Sequence, residues 1–401
     1  MRYIVIVGLV ISLLVVSSSF LLYNPKEKIT SDKDLPVYVG VSFCGNTTNQ
    51  AKALIDKTKN YTNLFVLQSG PISKNETAIN IICDYATKAN QKIIVYFGWF
   101  DTECPWQIPW LEHAKQRWGN QFLGVYYYDE PGGIQLDYNW SGFFEQIREY
   151  NYTLYQELTS SSIDNNLAIE QFYDVAAELY TDFIVNDPGI KELKERKITT
   201  ITSDYSLYWW DYLGGFDVIL TQLGWNNSLI QEIALVRGAS RMQNKSWGTI
   251  ITWKFDEVPY LDKGKKILEQ MIMSYEAGAE YIIIFNYPQI GNNPYGAMTE
   301  EHFKTLEEFW REINRLSDLE DNSKIKKADV VLVLPKNYGW GMRHPEDRIW
   351  FWGPDEKTNQ IWEFSRELIA KHGLNLDIIY QDSKFSNLDQ YRMIYYWDDN
   401  N

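Results

Sequence analysis

The chain has 401 residues, 45% hydrophobic and 23% charged, with a net charge of −15 and a pI near 4.9. That composition belongs to a globular protein with one large core and room for a small second unit, and it excludes a disordered chain. The acidic balance repels phosphate backbones and argues against a nucleic-acid partner.

At the N-terminus, Arg2 precedes an apolar run from Ile4 to Leu22, which gives way to Asn24-Pro25-Lys26-Glu27-Lys28. A run of that length reaches across a bilayer, so residues 1–34 read as a signal peptide or signal anchor plus linker. The expected location is extracellular or membrane-anchored, with the membrane met only through this segment. N-x-S/T sequons at Asn46, Asn60, Asn75, Asn139, Asn151, Asn226 and Asn244 fit an extracytoplasmic glycoprotein. Cys44, Cys83 and Cys104 allow at most one internal disulfide. Neither they nor the four dispersed histidines have metal-site spacing, so no metal and no cofactor is expected.

Eight β-rich apolar runs follow: Val37–Phe43, Leu64–Gln68, Lys92–Phe97, Phe122–Tyr128, Thr199–Ser203, Asp217–Gln222, Gly248–Trp253 and Tyr281–Phe285. Helical patterns separate most of them, at Asn49–Asn60, Ala78–Asn90, Trp110–Trp118, Pro188–Lys197, Ser228–Arg241 and Leu261–Gly278, with Thr305–Leu319 closing the series. Near-continuous apolar strands alternating with helices predict a parallel sheet covered by helices, and a period of about thirty residues predicts a (β/α)₈ TIM barrel over residues 35–320. Two further helical patterns, Ser141–Leu158 and Ala168–Val185, interrupt the period, and the first reads as an insertion after strand 4.

The charged stretch 317–327 lacks apolar periodicity and reads as a linker. Beyond it, strands at Ala328–Leu334, Leu376–Tyr380 and Arg392–Tyr396 and a helix at Thr358–His372 predict a small three-layer, flavodoxin-like α/β unit over residues 328–401. Such a unit is too small to stand alone, so it must dock on the barrel or on another subunit in an oligomer. Residues 339–354, with Trp340, Trp350, Phe351 and Trp352, read as the docking surface.

In a barrel of this kind the site lies at the C-terminal ends of the strands. Strand 4 ends in Asp129-Glu130-Pro131-Gly132-Gly133. Neighbouring strand residues point to opposite sides, but a break at Pro131 would turn both carboxylates inward. Packed beside tyrosines and next to a second charge, one of them would have a raised pKa, which a general acid needs. Asp129-Glu130-Pro131 resembles the Asn-Glu-Pro signature of clan-A retaining glycosidases, with Asp for Asn. The Asp-Glu pair is also similar to that of hexosaminidases using substrate-assisted catalysis. The resemblance implies that Glu130 is the acid/base and, in the hexosaminidase version, that Asp129 orients the substrate's acetamido group. The trailing unit is similar to domains that follow the barrel in some galactosidase-type enzymes.

A second carboxylate is needed unless the substrate supplies the nucleophile, about 5 Å away for retention or about 6.5–9.5 Å for inversion. Glu257, beyond strand 7, and Asp204, at the end of strand 5, are the first candidates, with Asp101 after strand 3 behind them. Trp99, Tyr127, Tyr205, Tyr208, Trp209, Trp210, Trp225, Trp253 and Tyr287 all fall at or past strand ends, where aromatic faces suit sugar rings. Gln68, Gln222 and Asn286 end strands 2, 6 and 8 and can hydrogen-bond hydroxyls, and Lys254 can pair with a carboxylate. Dinucleotide, Walker, serine-elbow and zincin motifs are missing; His344 and Asp347 have no serine placed with them. The sequence thus predicts a glycoside hydrolase acting on a carbohydrate. The alternative is a non-catalytic glycan-binding or scaffold protein that keeps the barrel.

Overall fold

A computed structural model describes residues 37–139, 148, 152, 153, 156, 169–224, 227–255, 257, 259–288, 293–318 and 327–399. The apolar run at residues 4–22, Trp225, the sequons at Asn151 and Asn226 and all but four residues of the helical pattern expected at Ser141–Leu158 lie outside the described residues. Among the described residues no helix is long and apolar enough to cross a membrane.

Eight parallel strands close into a barrel in sequence order: β1 (Tyr38–Phe43), β2 (Leu64–Leu67), β3 (Lys92–Phe97), β4 (Phe122–Tyr127), β5 (Thr200–Asp204), β6 (Val218–Leu223), β7 (Ser246–Ile251) and β8 (Tyr281–Ile284). Closure is made by β1, which pairs Gly40 with Leu64 on one side and Tyr38 with Tyr281 on the other. Strand alternation divides the core in two. Leu64, Val66, Ile94, Ile201, Val218, Leu220, Ile250 and Ile283 fill the inside. Their neighbours Phe65, Val95, Ile219, Ile251 and Ile284 pack outward against helices.

The helical ring is α1 (Thr48–Thr58), α2 (Glu76–Lys88), α3 (Gln107–Trp118), α4 (Ile169–Asn186), α5 (Pro188–Glu195), α6 (Tyr208–Gly214), α7 (Leu229–Gln243), α8 (Gly264–Glu276) and α9 (Glu300–Asp318). Their starts follow from local chemistry. Thr47 and Gln50 form a capping box on α1, Asn75 caps α2, and Asp187 caps α5 with Pro188 in its first turn. α6 is absent from the sequence expectation, because its run Tyr208-Trp209-Trp210 reads as pocket lining; here those rings are buried.

After the barrel come β9 (Val330–Leu334), α10 (Glu356–His372), β10 (Leu376–Tyr380) and β11 (Met393–Tyr396), forming a three-stranded parallel sheet in the order β10-β9-β11. The barrel helix α7 packs directly on β10: a Cβ added to Gly238 would lie 2.5 Å from the Ile378 carbonyl oxygen. Asp377 of β10, fully buried, is gripped by Arg237 at 2.7 Å and Arg241 at 2.6 Å, both from α7. The small sheet therefore borrows a helix of the barrel. The 339–354 segment does pack on barrel helices, with Trp350 edge-on to Trp210 of α6 at 4.8 Å and Trp352 against Tyr173 of α4 at 5.7 Å. The described residues form one compact unit. Cys44, Cys83 and Cys104, which allow at most one internal disulfide, are all free and buried.

Candidate active site

β4 stops at Tyr127, and the chain then turns sharply. Tyr128 and Glu130 both adopt left-handed backbone angles, φ 59° and 56°, which cost a non-glycine residue on the order of 1–3 kcal/mol each. The break expected at Pro131 thus falls earlier and occurs twice. The Glu130 N–H donates to the Ser203 carbonyl at 2.9 Å, tying the turn to β5. Pro131 then opens a helical turn, Pro131–Ile134, which continues as a wider turn over Gln135–Asn139.

Both carboxylates enter one network. The hydroxyls of Tyr126 and Ser203, 2.6 Å from each other, both donate to Asp129 Oδ1, Ser203 at 3.1 Å. Gln222 Nε2 donates to Glu130 Oε1 at 2.6 Å and to Ser203 Oγ at 3.0 Å. Gln68 Nε2 reaches the Tyr126 oxygen at 3.3 Å. Residues of β4, β5 and β6 on the inward register, with Gln68 just past β2 behind Tyr126, therefore draw Asp129 and Glu130 into one network at the barrel mouth. Burial and the Asp129 charge push the Glu130 carboxyl up to about 7; Asp137 adds to this and the Gln222 hydrogen bond opposes it. Burial also raises Asp129, while the Tyr126 and Ser203 hydrogen bonds hold it down. A carboxyl poised near neutrality can give a proton at one step and take one at the next.

The other expected carboxylates are placed differently. Asp204 is fully buried and accepts the N–H groups of Gly132 (2.6 Å), Gly133 (2.9 Å), Tyr205 (2.7 Å) and Ser206 (3.2 Å). Those donors take up acceptor sites of its two oxygens and tie the turn carrying Glu130 to β5. Burial raises it to about 7 against these lowering hydrogen bonds. Glu257 is exposed on the loop after β7, outside the network. Asp101 pairs with Lys74 at 2.7 Å, and Lys254 lies 3.7 Å from Asp262.

The aromatic rim is smaller than expected. Tyr127 points outward, its hydroxyl 3.0 Å from the α5 cap Asp187, and Trp209 packs against Tyr380 and Phe385 of the C-terminal unit. Both rings are 2% exposed, because each caps a helix–sheet seam. Trp99 is 61% exposed, and Trp253 is half-buried with its edge toward Phe285 and Tyr287. Tyr205 lies over Gly133, where a Cβ would come within 2.2 Å of its ring. Asn286 accepts the Met298 N–H at 3.2 Å. Its Nδ2 and Gln68 Oε1 are buried without a partner, a donor and an acceptor left available.

Two functional candidates escaped sequence reasoning. Asp137 accepts from the Tyr205 hydroxyl at 2.8 Å and from Arg343 at 2.7 Å. Arg343 in turn grips Asp347 through two nitrogens, at 2.8 and 2.7 Å. The signals were present: Asp137 follows Glu130 by seven residues, two helical turns, and Arg343 with Asp347 has the i,i+4 spacing of an ion pair. Among the described residues no group of three or more His, Cys, Asp or Glu side chains is disposed to hold a metal.

No protein-family profile matches the chain, and no curated protein matches it in sequence. Among solved structures, GH5_18 from Streptomyces cattleya in complex with GlcNAc is similar over 91% of this chain and 99% of its own, at 9% identity and a TM-score of 0.54. The endo-1,4-β-mannanase from Rhizomucor miehei matches over 71% of this chain and 97% of its own, at 12% identity and a TM-score of 0.41. The spore coat polysaccharide biosynthesis protein spsE from Bacillus subtilis matches over 76% and 74%, at 11% identity and a TM-score of 0.41. What the chain shares with GH5_18 is the barrel fold.

Proposed function

We propose that this chain is a glycoside hydrolase in which Glu130 is the general acid/base and Asp129 assists it. One observation carries the reading: a carboxyl raised to about 7 at the mouth of a TIM barrel, beside a second carboxylate. With Asp204 engaged by backbone and Glu257 exposed, Asp129 is the strand-end carboxylate linked to Glu130 through Ser203 and Gln222. That favours the hexosaminidase-like version, in which the substrate supplies its own nucleophile. The unpartnered Gln68 Oε1 and Asn286 Nδ2 suit hydroxyl or amide groups, and Trp253 with Trp99 offers sugar-stacking faces. The fold shared with GH5_18 in complex with GlcNAc makes N-acetylhexosaminides the first substrates to assay.

The substrate in this reading is an extracellular or cell-surface glycan. The barrel, residues 35–320, is the catalytic unit, the flavodoxin-like unit from residue 328 braces it, and the N-terminal segment serves as leader or anchor. A set of chromogenic glycosides tests the reading. Glu130→Gln is expected to lose hydrolysis by about 10²–10⁴-fold, the worth of a general acid, while remaining folded. Retained turnover in that variant would end it. The occupation of Asp204 favours a second reading, a glycan-binding barrel without catalysis; its signature is sugar binding by a wild-type protein that cleaves none of the panel.

A further inference from the structure

The loop after β9 is shaped to deliver one side chain out of the C-terminal unit. Asn337, Met342 and Trp350 take left-handed backbone angles (φ 51°, 56° and 51°), a cluster of strained residues within one loop. The strain is held by contacts: Gln231 of α7 donates to the Met342 carbonyl at 2.5 Å, and the Trp350 indole N–H donates to the Asn337 carbonyl at 2.8 Å. Asp347, 2% exposed, receives Arg343 through a two-pronged contact and also accepts the Arg343 and Arg348 backbone N–H groups at 3.0 and 2.9 Å. The remaining arm of the guanidinium crosses to Asp137 on the turn that follows Glu130, and its plane lies 5.5 Å from the Tyr205 ring. Tyr205 donates to the other oxygen of Asp137. A carboxylate only one turn from the end of the Pro131–Ile134 helix is thereby pinned from two sides.

We infer that Arg343 is a positioning residue of the barrel mouth, holding Asp137 beside Glu130, so that the site is completed by a segment from outside the barrel. The inference rests on the reading of Glu130 as the acid. The charged and titratable groups facing Glu130 are Asp129 from β4, Asp137 from the following turn and Asp204 from β5, with Tyr126, Tyr205 and the neutral Gln222 around them. Those facing Arg343 are Asp137, Asp347 and, from α7, Glu232. Arg343 is thus the cation nearest a group of acids, and it acts on Glu130 through Asp137. Without it, the bare Asp137 charge disfavours ionisation of Glu130; without Asp137, ionisation becomes easier.

The test is the titration midpoint of the Glu130 carboxyl in the full chain, followed by carbon-13 NMR of carboxyl-labelled glutamate and assigned by the signal missing from Glu130→Gln. Asp137→Asn is expected to move the midpoint down, and Arg343→Gln up, each by about half a pH unit or more. Arg343→Lys, which keeps the charge and loses the fork, is expected to return it most of the way to wild type. The alkaline limb of the kcat/KM profile should follow the same three shifts. Midpoints that stay put in Asp137→Asn and Arg343→Gln overturn the inference, even if kcat falls, since a purely structural part would lower rates at every pH. Should Arg343→Gln fail to fold, Asp137→Asn alone decides. Opposed shifts in a protein that cleaves no glycoside support the coupling and sink the hydrolase reading, so the two fail separately.

Discussion

Glu130→Gln has a consequence for stability that is independent of any substrate. The glutamine keeps the shape of the side chain, and its Oε1 can still accept from Gln222 Nε2. It removes a carboxyl whose pKa is raised from 4.5 to about 7 by burial and by Asp129. At ~1.36 kcal/mol per pH unit that difference corresponds to roughly 3 kcal/mol, and partial exposure at the mouth screens it to roughly 2 kcal/mol. The sign follows from linkage. Below pH 4.5 the carboxyl is neutral in both folded and unfolded chains. Between 4.5 and 7 the unfolded chain ionises first, and stability falls; above 7 the loss is complete. The variant lacks this loss, so at pH 8 it should be more stable than wild type by roughly 2 kcal/mol, with most of the gap gone at pH 5. Asp204 and Glu232, raised to about 7 and about 8 chiefly by burial, lose stability over an overlapping range in both proteins and largely cancel in the comparison. Urea denaturation of the two proteins at pH 5 and pH 8 measures the difference. An equal pH 5-to-8 loss in both, or a variant less stable at pH 8, would refute the reasoning.

Asp204→Asn puts an amide where four backbone N–H groups need an acceptor, and it should cost roughly 2–3 kcal/mol in denaturant unfolding. Unchanged stability with lost hydrolysis would instead make Asp204 a reacting group. Arg237→Ala leaves the buried Asp377 with Arg241 as its remaining cation and should destabilise the chain by roughly 2–4 kcal/mol. A loss under about 1 kcal/mol in the same assay would mean that apolar contacts alone hold the C-terminal sheet. Gly133→Ala drives a methyl into the Tyr205 ring, 2.2 Å from its Cζ, and should cost about 1–3 kcal/mol and slow hydrolysis by more than about tenfold as Tyr205 shifts from Asp137.

The barrel was readable because each strand is an apolar run of inward and outward residues that both need burial, so strand positions came out within a residue or two. Asp129-Glu130 was readable because the chain must stop its strand there, and Pro131-Gly132-Gly133 announces it. The left-handed angles at Tyr128 and Glu130 were not, since neither residue type favours that conformation and only the hydrogen bonds to β5 and β6 enforce it. The fate of Asp204 was hidden for a related reason. A strand-end aspartate looks the same whether its oxygens meet a sugar or the amides of a turn more than seventy residues upstream. The aromatics divided by direction: position placed Tyr127 and Trp209 near the mouth, but strand parity for the first and the unforeseen α6 for the second turned them into seams. Arg343 lies in another unit, and no local pattern links it to Asp137.

The contact between Arg343 and Asp137 also orders events during synthesis. About sixty residues separate the end of β8 at Ile284 from Arg343. A ribosome adding 5–20 residues per second needs roughly 3–12 s to make them. All eight strands are thus synthesised before the guanidinium that meets Asp137 exists. The salt bridge that ties the barrel mouth to the C-terminal segment therefore closes last, after every stave of the ring has been made.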